Sequence, residues 1–268
     1  MLEAAMRMLQ VVFLGLMASV GATTYAKAAV AQKTQTSEPT SPPDTVIREP
    51  VGIAYFKFPP RMSLEGGKPV GSWIDAAEKL MAEAELTYVF VQIPIGRLYN
   101  NLQGKSSVIQ VWIGGPQPAF LRLGVPIAPS IFGEIRMNLY GRQGLQPPDP
   151  KTLKNVSLIT LTGYRYAGYL EQLKARNAGV KTISTTSHLS AFRMLKAGRA
   201  PYVLDYKAPA ELAMAKLGIS GALSSLVSAG PAGMLVSKQA EQKDLLLDRL
   251  QAASRRIVAR EQEHGSEP

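Results

Sequence analysis

The segment from residue 152 to residue 206 constrains the fold most, because its apolar residues alternate between strand spacing and helix spacing. Strands are predicted at 156–160, 180–183 and 202–204, and helices at 165–176 and 188–197. The turn at Gly163 follows the first strand, and Asp205 and Tyr206 follow the third. In an open α/β sheet such strand tips lie side by side and form the ligand site.

The residues before this segment show the same alternation. A buried-type strand at 51–55 runs through Phe58 to the pair Pro59-Pro60, which stops sheet pairing. Helices are then predicted at 73–84 and 94–102, and strands at 87–92 and 108–113. The last of these strands carries Trp112 and ends in Gly114-Gly115, whose backbone N–H groups could approach a ligand closely or belong to an ordinary loop.

Further strands and helices are predicted on either side of the 152–206 segment. A strand at 134–140 leads into a proline-rich connection at 146–150. A helix at 209–217 and strands at 223–227 and 233–236 come after Tyr206. A final amphipathic helix carries Leu246, Leu250 and Ile257 on one face.

Composition excludes several kinds of chemistry. The chain has no cysteine, so it has no disulfides and no thiol catalysis, and its two histidines give no indication of a metal site or a cofactor. We expect His188, beside a predicted helix start, to be solvated or to cap that helix. The formal net charge is +10, but the basic residues are dispersed and not interleaved with aromatics, which argues against nucleic-acid binding. The charge gives weak support for an anionic ligand.

The N-terminal residues have the pattern of a targeting signal. Arg7 precedes an apolar run at 9–22, and small residues near Ala28 offer a cleavage site. We therefore expect a cleavable signal peptide at 1–28, with an uncleaved anchor as the alternative. Residues 29–47 are rich in Gln, Thr, Ser and Pro and are expected to form a disordered linker. The mature protein is expected in the periplasm.

The ordered set of these patterns resembles bacterial periplasmic solute-binding proteins of the amino-acid type (solute-binding family 3, type 2 periplasmic-binding fold). The resemblance covers roughly residues 48–260 and is carried by short matches in family order: Pro59-Pro60, Gly71 to Asp75, Pro94 to Arg97, Leu102 to Lys105, Leu153 to Val156, Thr162 to Tyr164, Leu195 to Arg199 and Leu204 to Tyr206. It implies an α/β protein of two lobes, each a sheet flanked by helices, with a ligand cleft between them. Lobe 1 would hold 48–144 and 229–268, and lobe 2 would hold 145–228.

The resemblance also implies a site in that cleft. Family members bind the ligand carboxylate with an arginine, its ammonium with an aspartate, and use backbone donors at a helix start in lobe 2. Gly163 and Tyr164 match the helix start, and Asp205 or Tyr206 matches the acidic position. The arginine pattern is missing where it should end, near Ala119.

Several arginines and aromatic residues remain candidates for this site. Arg97, Arg122 or Arg165 could replace the missing arginine, although each could also be an ordinary surface residue. The aromatic residues at predicted strand tips could stack on a ligand or could belong to the core. The full set of expected ligand contacts is Tyr55, Phe58, Arg97, Trp112, Gly114, Arg122, Gly163, Tyr164, Arg165, Asp205 and Tyr206.

The function expected from this resemblance is capture of a small polar or anionic, amino-acid-like metabolite by lobe closure. The protein would act as a monomer and deliver the ligand to an inner-membrane ABC transporter. A ligand sensor, or a degenerate binding protein that signals to a membrane partner, is the alternative. An enzyme of the dehydratase type on the same fold is less favoured, because the sequence shows no paired carboxylates and no catalytic triad.

Overall fold

The structure, a computed structural model, describes residues 46–103, 108–115 and 117–264. The expected signal peptide and nearly all of the expected linker lie outside these residues. Within the described ranges, no helix has both the length and the apolar character that a membrane span requires.

The described residues form strands and helices in an alternating order. The strands are β1 Val51–Tyr55, β2 Ser63–Glu65, β3 Lys68–Val70, β4 Tyr88–Gln92, β5 Val111–Gly114, β6 Gly124–Pro126, β7 Glu134–Gly141, β8 Ser157–Leu161, β9 Lys181–Thr185, β10 Tyr202–Tyr206, β11 Ser224–Pro231 and β12 Gly233–Ser237. The α-helices are α1 Ser72–Glu83, α2 Ile95–Gln103, α3 Pro118–Leu121, α4 Tyr169–Ala175, α5 His188–Lys196, α6 Lys207–Lys216 and α7 Lys243–His264.

Two five-stranded sheets form the two lobes that the sequence predicted. The lobe 1 sheet has the order β4-β1-β5-β12-β6, and the lobe 2 sheet has the order β11-β7-β10-β8-β9. In lobe 1, β1 is parallel to β4 and β5, whereas β12 is antiparallel to β5 and β6. In lobe 2, β8 is parallel to β9 and β10, whereas β7 is antiparallel to β10 and β11. Each sheet thus contains one antiparallel strand that enters from the other lobe.

The chain passes between the lobes twice. The first crossing lies at residues 127–133, between β6 and β7, upstream of the boundary expected at residue 145. Backbone pairing explains the difference, because Leu139 of β7 lies opposite both Leu204 and Ser225 of the second sheet. The second crossing lies between Pro231 and Gly233, close to the expected boundary at residue 229.

The C-terminal helix α7 packs on lobe 1, as the family resemblance implies. Its predicted apolar face is buried, with Leu246, Leu250 and Ile257 each at most 1% exposed. This face lies against α1 and β12. The Arg249 guanidinium also donates a hydrogen bond of 2.8 Å to the carbonyl of Ala84 at the end of α1. Helix α7, which is 22 residues long, therefore covers the core of lobe 1.

One predicted helix begins later than expected. The spacing predicts a helix from Arg165, but α4 starts at Tyr169, after a single 3-10 turn at Tyr166–Gly168. Tyr166, Ala167 and Gly168 all have left-handed backbone angles, with φ of 48°, 52° and 84°. The Tyr166 ring is fully buried, and its hydroxyl accepts a hydrogen bond of 2.6 Å from the Leu161 N–H. The buried ring and this bond hold the tight turn, which spacing alone could not indicate.

A short hairpin, β2–β3, was not predicted. Gly66 and Gly67 form its two-residue turn, both with positive φ (56° and 79°). Two glycines between short extended segments are a recognised hairpin signal, so the sequence did contain it.

Candidate functional site

The carboxyl ends of the parallel strands of both lobes face each other. Gly163, after β8, touches Gly96 at the start of α2 in the opposite lobe. A β-carbon on Gly163 would lie 3.0 Å from the Gly96 nitrogen and 3.2 Å from its α-carbon. Gly163 also has φ of 85°, which favours glycine. The two lobes are therefore in backbone contact at this point, and a side chain there would separate them.

An aromatic cluster joins the lobes beside this contact. It consists of Phe56 and Phe58 from lobe 1 and Tyr164, Tyr166 and Tyr206 from lobe 2. Ring centroids are 5.4 Å apart for Phe58 and Tyr206 and 6.2 Å apart for Phe56 and Tyr164, and both pairs meet edge to face. Such geometry contributes about 0.5–1.5 kcal/mol per pair beyond the burial of the rings.

The aromatic cluster leaves little space between the expected ligand contacts Phe58, Arg165 and Tyr206. Next to Gly115, Gln117 and Arg165, the free volume between the lobes is about 10 Å³, close to the space of one water molecule. Gln117 occupies part of this region. Its side-chain oxygen accepts from the Ala167 N–H, and its side-chain nitrogen donates to the Tyr206 hydroxyl, each at 3.3 Å. A small ligand could enter here only by displacing these side chains.

Burial keeps the cluster tyrosines neutral. It raises the pKa of Tyr164, and likewise the pKa of Tyr206, well above the ordinary value for tyrosine, and the charge of Asp205 acts in the same direction. Both hydroxyls therefore stay protonated even in alkaline solution.

A chain of polar groups runs through lobe 2 and reaches lobe 1. The Nδ1 atom of His188 lies 2.9 Å from each carboxylate oxygen of Asp205, and its Nε2 atom lies 3.2 Å from the Tyr164 hydroxyl. That hydroxyl donates to the carbonyl of Lys57, also at 3.2 Å. The polar chain is thus a hydrogen-bonded link between the lobes.

The expectation that His188 is solvated or capping is wrong. His188 is 7% exposed, and Ser187 caps α5 instead, because its side chain accepts a hydrogen bond from the Ser190 N–H. Asp205 is fully buried, so burial raises the pKa of its carboxyl, while hydrogen bonds from His188 and the Tyr206 N–H oppose that rise. Asp205 therefore faces His188 and not an open cleft.

The three candidate arginines lie in different places. The Arg165 guanidinium stacks over the ring of Tyr99 in the opposite lobe, 4.5 Å from the ring centroid. Arg97 is exposed in the first turn of α2 and lines an open space between the lobes. Arg122 is exposed at the end of α3 and lines none of the cavities found among the described residues.

Three other expected contacts lie in the core of lobe 1. Tyr55 is 1% exposed, with its ring against Phe90, and Trp112 is fully buried against Phe120. A β-carbon on Gly114 would lie 3.1 Å from the ring of Phe120. The structure therefore places Tyr55, Trp112 and Gly114 beneath the cleft and not on its surface.

A large open groove lies between the lobes on the other side of Tyr164. Its volume is about 740 Å³, within the range of small-molecule sites. Lobe 1 contributes Lys57 and residues 92–97, and lobe 2 contributes residues 161–164, residues 186–189 and one face of α6. We call this space the groove. Of the expected contacts, it brings together Arg97, Gly163 and Tyr164.

Most residues of the groove were not predicted. Residues 92–96 lie at the end of β4 and directly after it, at the same sheet edge as the tip of β1, so strand order could have indicated them. Lys57 and the α6 face carry no motif, and only their position in space places them in the groove.

A smaller cavity of about 260 Å³ opens on the opposite side of the aromatic cluster. Its charged side chains are largely paired with one another. Arg136 lies 3.0 Å from Glu134, and Lys207 lies 3.7 Å from Glu211. These paired charges leave less unmatched charge for a ligand than the groove does.

Comparison with known proteins gives similarity of fold without similarity of sequence. No protein-family model and no curated protein sequence matches the chain. A histidine kinase sensor domain with similarity to periplasmic binding proteins has a TM-score of 0.67 at 16% identity, covering 81% of this chain and 93% of that one.

Two binding proteins are similar to a comparable extent. An ancestral arginine-binding protein bound to arginine has a TM-score of 0.63 at 20% identity, covering 79% of this chain and 93% of its own. The substrate-binding protein of an amino acid ABC transporter has a TM-score of 0.58 at 15% identity, covering 79% and 94%. The strand order, the two crossings and these similarities together show that the chain has the two-lobed fold of type 2 periplasmic binding proteins.

Proposed function

We propose that this protein is a solute-binding protein that holds a small molecule in the groove between its lobes. The observation that carries the proposal is that residues of both lobes line this groove, which is larger than the other cavity described between them. Lobes joined by two crossings can hinge, and a ligand that touches both favours the closed arrangement by its differential affinity for that arrangement. Binding is thereby coupled to a shape that a membrane partner can recognise.

We propose delivery to an ABC transporter as the purpose of this binding. Two of the similar structures are an arginine-binding protein and the substrate-binding protein of an amino acid ABC transporter, which supports this assignment. The N-terminal pattern at 1–28 supports export, so we place the mature protein in the periplasm as a monomer.

We do not propose catalysis. The acidic candidates for a dehydratase-like reaction are Asp205 and Glu134. Asp205 is fully buried and bonded to His188, and Glu134 is paired with Arg136. Neither carboxylate reaches the groove, so neither is placed to move a proton on a ligand bound there.

One observation favours a second function, ligand sensing. The aromatic cluster already joins the lobes through the protein's own side chains, and one similar structure is a histidine kinase sensor domain. Deleting the gene separates the two functions. Loss of ligand uptake indicates delivery, whereas intact uptake with a lost transcriptional response to the ligand indicates sensing.

A thermal-shift screen tests the proposed function. Amino acids, organic acids, fatty acids, polyamines and short peptides are added to the purified protein. A ligand at about 100 times its Kd adds about 2.7 kcal/mol to the free energy of unfolding, which raises Tm by about 5–10 °C. If no compound of any class raises Tm, the proposal is wrong.

A matched pair of variants locates the binding. Thr186 is exposed and lines the groove, whereas Thr182 is exposed on β9 outside the groove. Thr186→Trp should reduce the ligand-induced shift by occupying part of the groove, and Thr182→Trp should retain the shift in full. Neither should change the Tm of the unliganded protein by more than about 2 °C, because surface substitutions cost little. Equal ligand shifts in both variants would place the ligand elsewhere.

A further inference from the structure

We infer that the ligand of the groove is an amphiphilic carboxylate, with an apolar chain or ring and a single anionic head. This inference rests on the proposed function, because it names the class of molecule that the groove takes. It differs from the amino-acid-like ligand that the sequence resemblance implies. Three features of the groove carry it: its apolar walls, the sign of its charged side chains, and the enclosure of Asp205.

The walls of the groove are mainly apolar on both lobes. Ile93, Pro94 and Ile95 line it from lobe 1, and Leu161, Leu189 and Leu212 line it from lobe 2. Each methylene group moved from water into such surroundings contributes about 0.8 kcal/mol. A ligand with an extended apolar part therefore gains affinity here, whereas a compact, fully polar ligand loses hydration along these walls without replacement.

The formal charges that line the groove are basic. They belong to Lys57 and Arg97 from lobe 1 and Lys216 from lobe 2, and no aspartate or glutamate is among the lining residues. Within the part of the chain that the structure describes, none of these three side chains forms an ion pair. Their side chains are exposed and can turn toward a bound anion.

Asp205 cannot reverse this balance. It is fully buried and its carboxylate is bonded to His188, so the ring of His188 lies between that charge and the groove. The ammonium group of an amino acid would therefore find no carboxylate partner in the groove, while its carboxylate would find three cations. Burying an ammonium without a partner is costly, which disfavours zwitterions relative to simple anions.

Neutral polar groups complete the arrangement. Thr162 and Thr186 line the groove, and their hydroxyls can donate to a carboxylate. The helices α2 and α5 also begin at the groove, so the positive ends of both helix dipoles add to the basic character of the lining. The groove thus combines apolar walls with hydrogen-bond donors and cations.

Calorimetric titration with straight-chain carboxylates tests this inference. Hexanoate, octanoate and decanoate are titrated into the full chain below the concentrations at which they form micelles. Kd should fall roughly fourfold per added methylene group, because burying one methylene group contributes about 0.8 kcal/mol to the free energy of binding. 1-Decanol, which has the same chain without the charge, should bind about tenfold more weakly than decanoate, because it forms none of the ion pairs with the three cations. Binding of decanoate should weaken as salt is raised.

Variants that neutralise the cations provide the control. Lys57→Gln and Lys216→Gln should each raise the Kd for decanoate about two- to fivefold, as expected for exposed ion pairs, and adding Arg97→Gln to both should raise it at least tenfold. Lys174→Gln in lobe 2 and Arg122→Gln in lobe 1 remove the same charge from exposed residues outside the groove, and both should leave Kd unchanged.

The outcomes separate this inference from the proposed function. Equal affinities for decanoate and decanol, or an unchanged Kd in the triple variant, would overturn the inference. If decanoate does not bind but another compound of the screen raises Tm in a Thr186-dependent manner, the inference is also wrong and the proposed function stands. If no compound binds, both are wrong.

Discussion

Replacing Asp205 by alanine is expected to lower the free energy of unfolding by about 2–6 kcal/mol, because two buried donors lose their acceptor at a cost of about 1–3 kcal/mol each. Asp205 is fully buried and holds His188 through both carboxylate oxygens, and one of them also accepts the Tyr206 N–H at 2.7 Å. Its loss leaves the buried Nδ1 atom of His188 and the Tyr206 N–H without their hydrogen-bond acceptor. Urea unfolding measures the change as a lower midpoint.

The control for this substitution is an aspartate that is paired but exposed. Asp244 lies 2.8 Å from Lys243, and its side chain is 85% exposed. Asp244→Ala should cost less than about 1 kcal/mol, because water screens an exposed pair. If Asp205→Ala is as mild as Asp244→Ala, then Asp205 is not the buried anchor of the polar chain.

Replacing Gly163 by valine is expected to separate the lobes. The new β-carbon would lie 3.0 Å from the backbone nitrogen of Gly96, and valine adds two methyl groups beyond that atom. Backbone cannot yield as a flexible side chain can, so the lobes must move apart by a few ångströms. The chain has no cysteine, so spin labels on cysteines introduced at the exposed residues Val89 and Ile183 report the distance between the lobes.

Gly168→Val is the matched control for Gly163→Val. Gly168 has nearly the same backbone angle, φ of 84° against 85°, but a β-carbon there meets no atom within 4 Å. Both variants therefore carry a similar backbone strain, on the order of 1–3 kcal/mol. Only Gly163→Val should lengthen the distance between the labels and weaken ligand binding. The same label distance in both variants would show that the Gly96–Gly163 contact does not set the spacing of the lobes.

Much of the fold could be predicted from sequence because its elements are locally encoded. Period-two and period-3.6 patterns located β1, β4, β5, β7 to β12, α1, α2 and α4 to α7, but not the short elements β2, β3, β6 and α3. The start of α4 could not be predicted this way, because the bond between the Tyr166 hydroxyl and the Leu161 N–H outweighs helical spacing. The first crossing was misplaced for a similar reason, since β7 joins its sheet through distant partners.

The candidate site was less predictable because it depends on distances between the lobes. The strand-tip argument identified Phe58, Tyr164 and Tyr206, and the structure brings these three together. It could not show whether the rings border an open cleft or fill it. That depends on the close approach of Gly96 and Gly163, which neither segment encodes alone. The burial of His188 follows from Asp205, a partner 17 residues away.

The location of the ligand is the central claim of this account, and a crystal structure of the protein with the tightest ligand from the screen tests it most directly. We predict ligand density in the groove, between residues 93–97 of lobe 1 and residues 186–189 of lobe 2, with Tyr164 and Tyr206 in their present positions. Density between Gly115 and Tyr206, with the rings of the aromatic cluster displaced, would contradict the account.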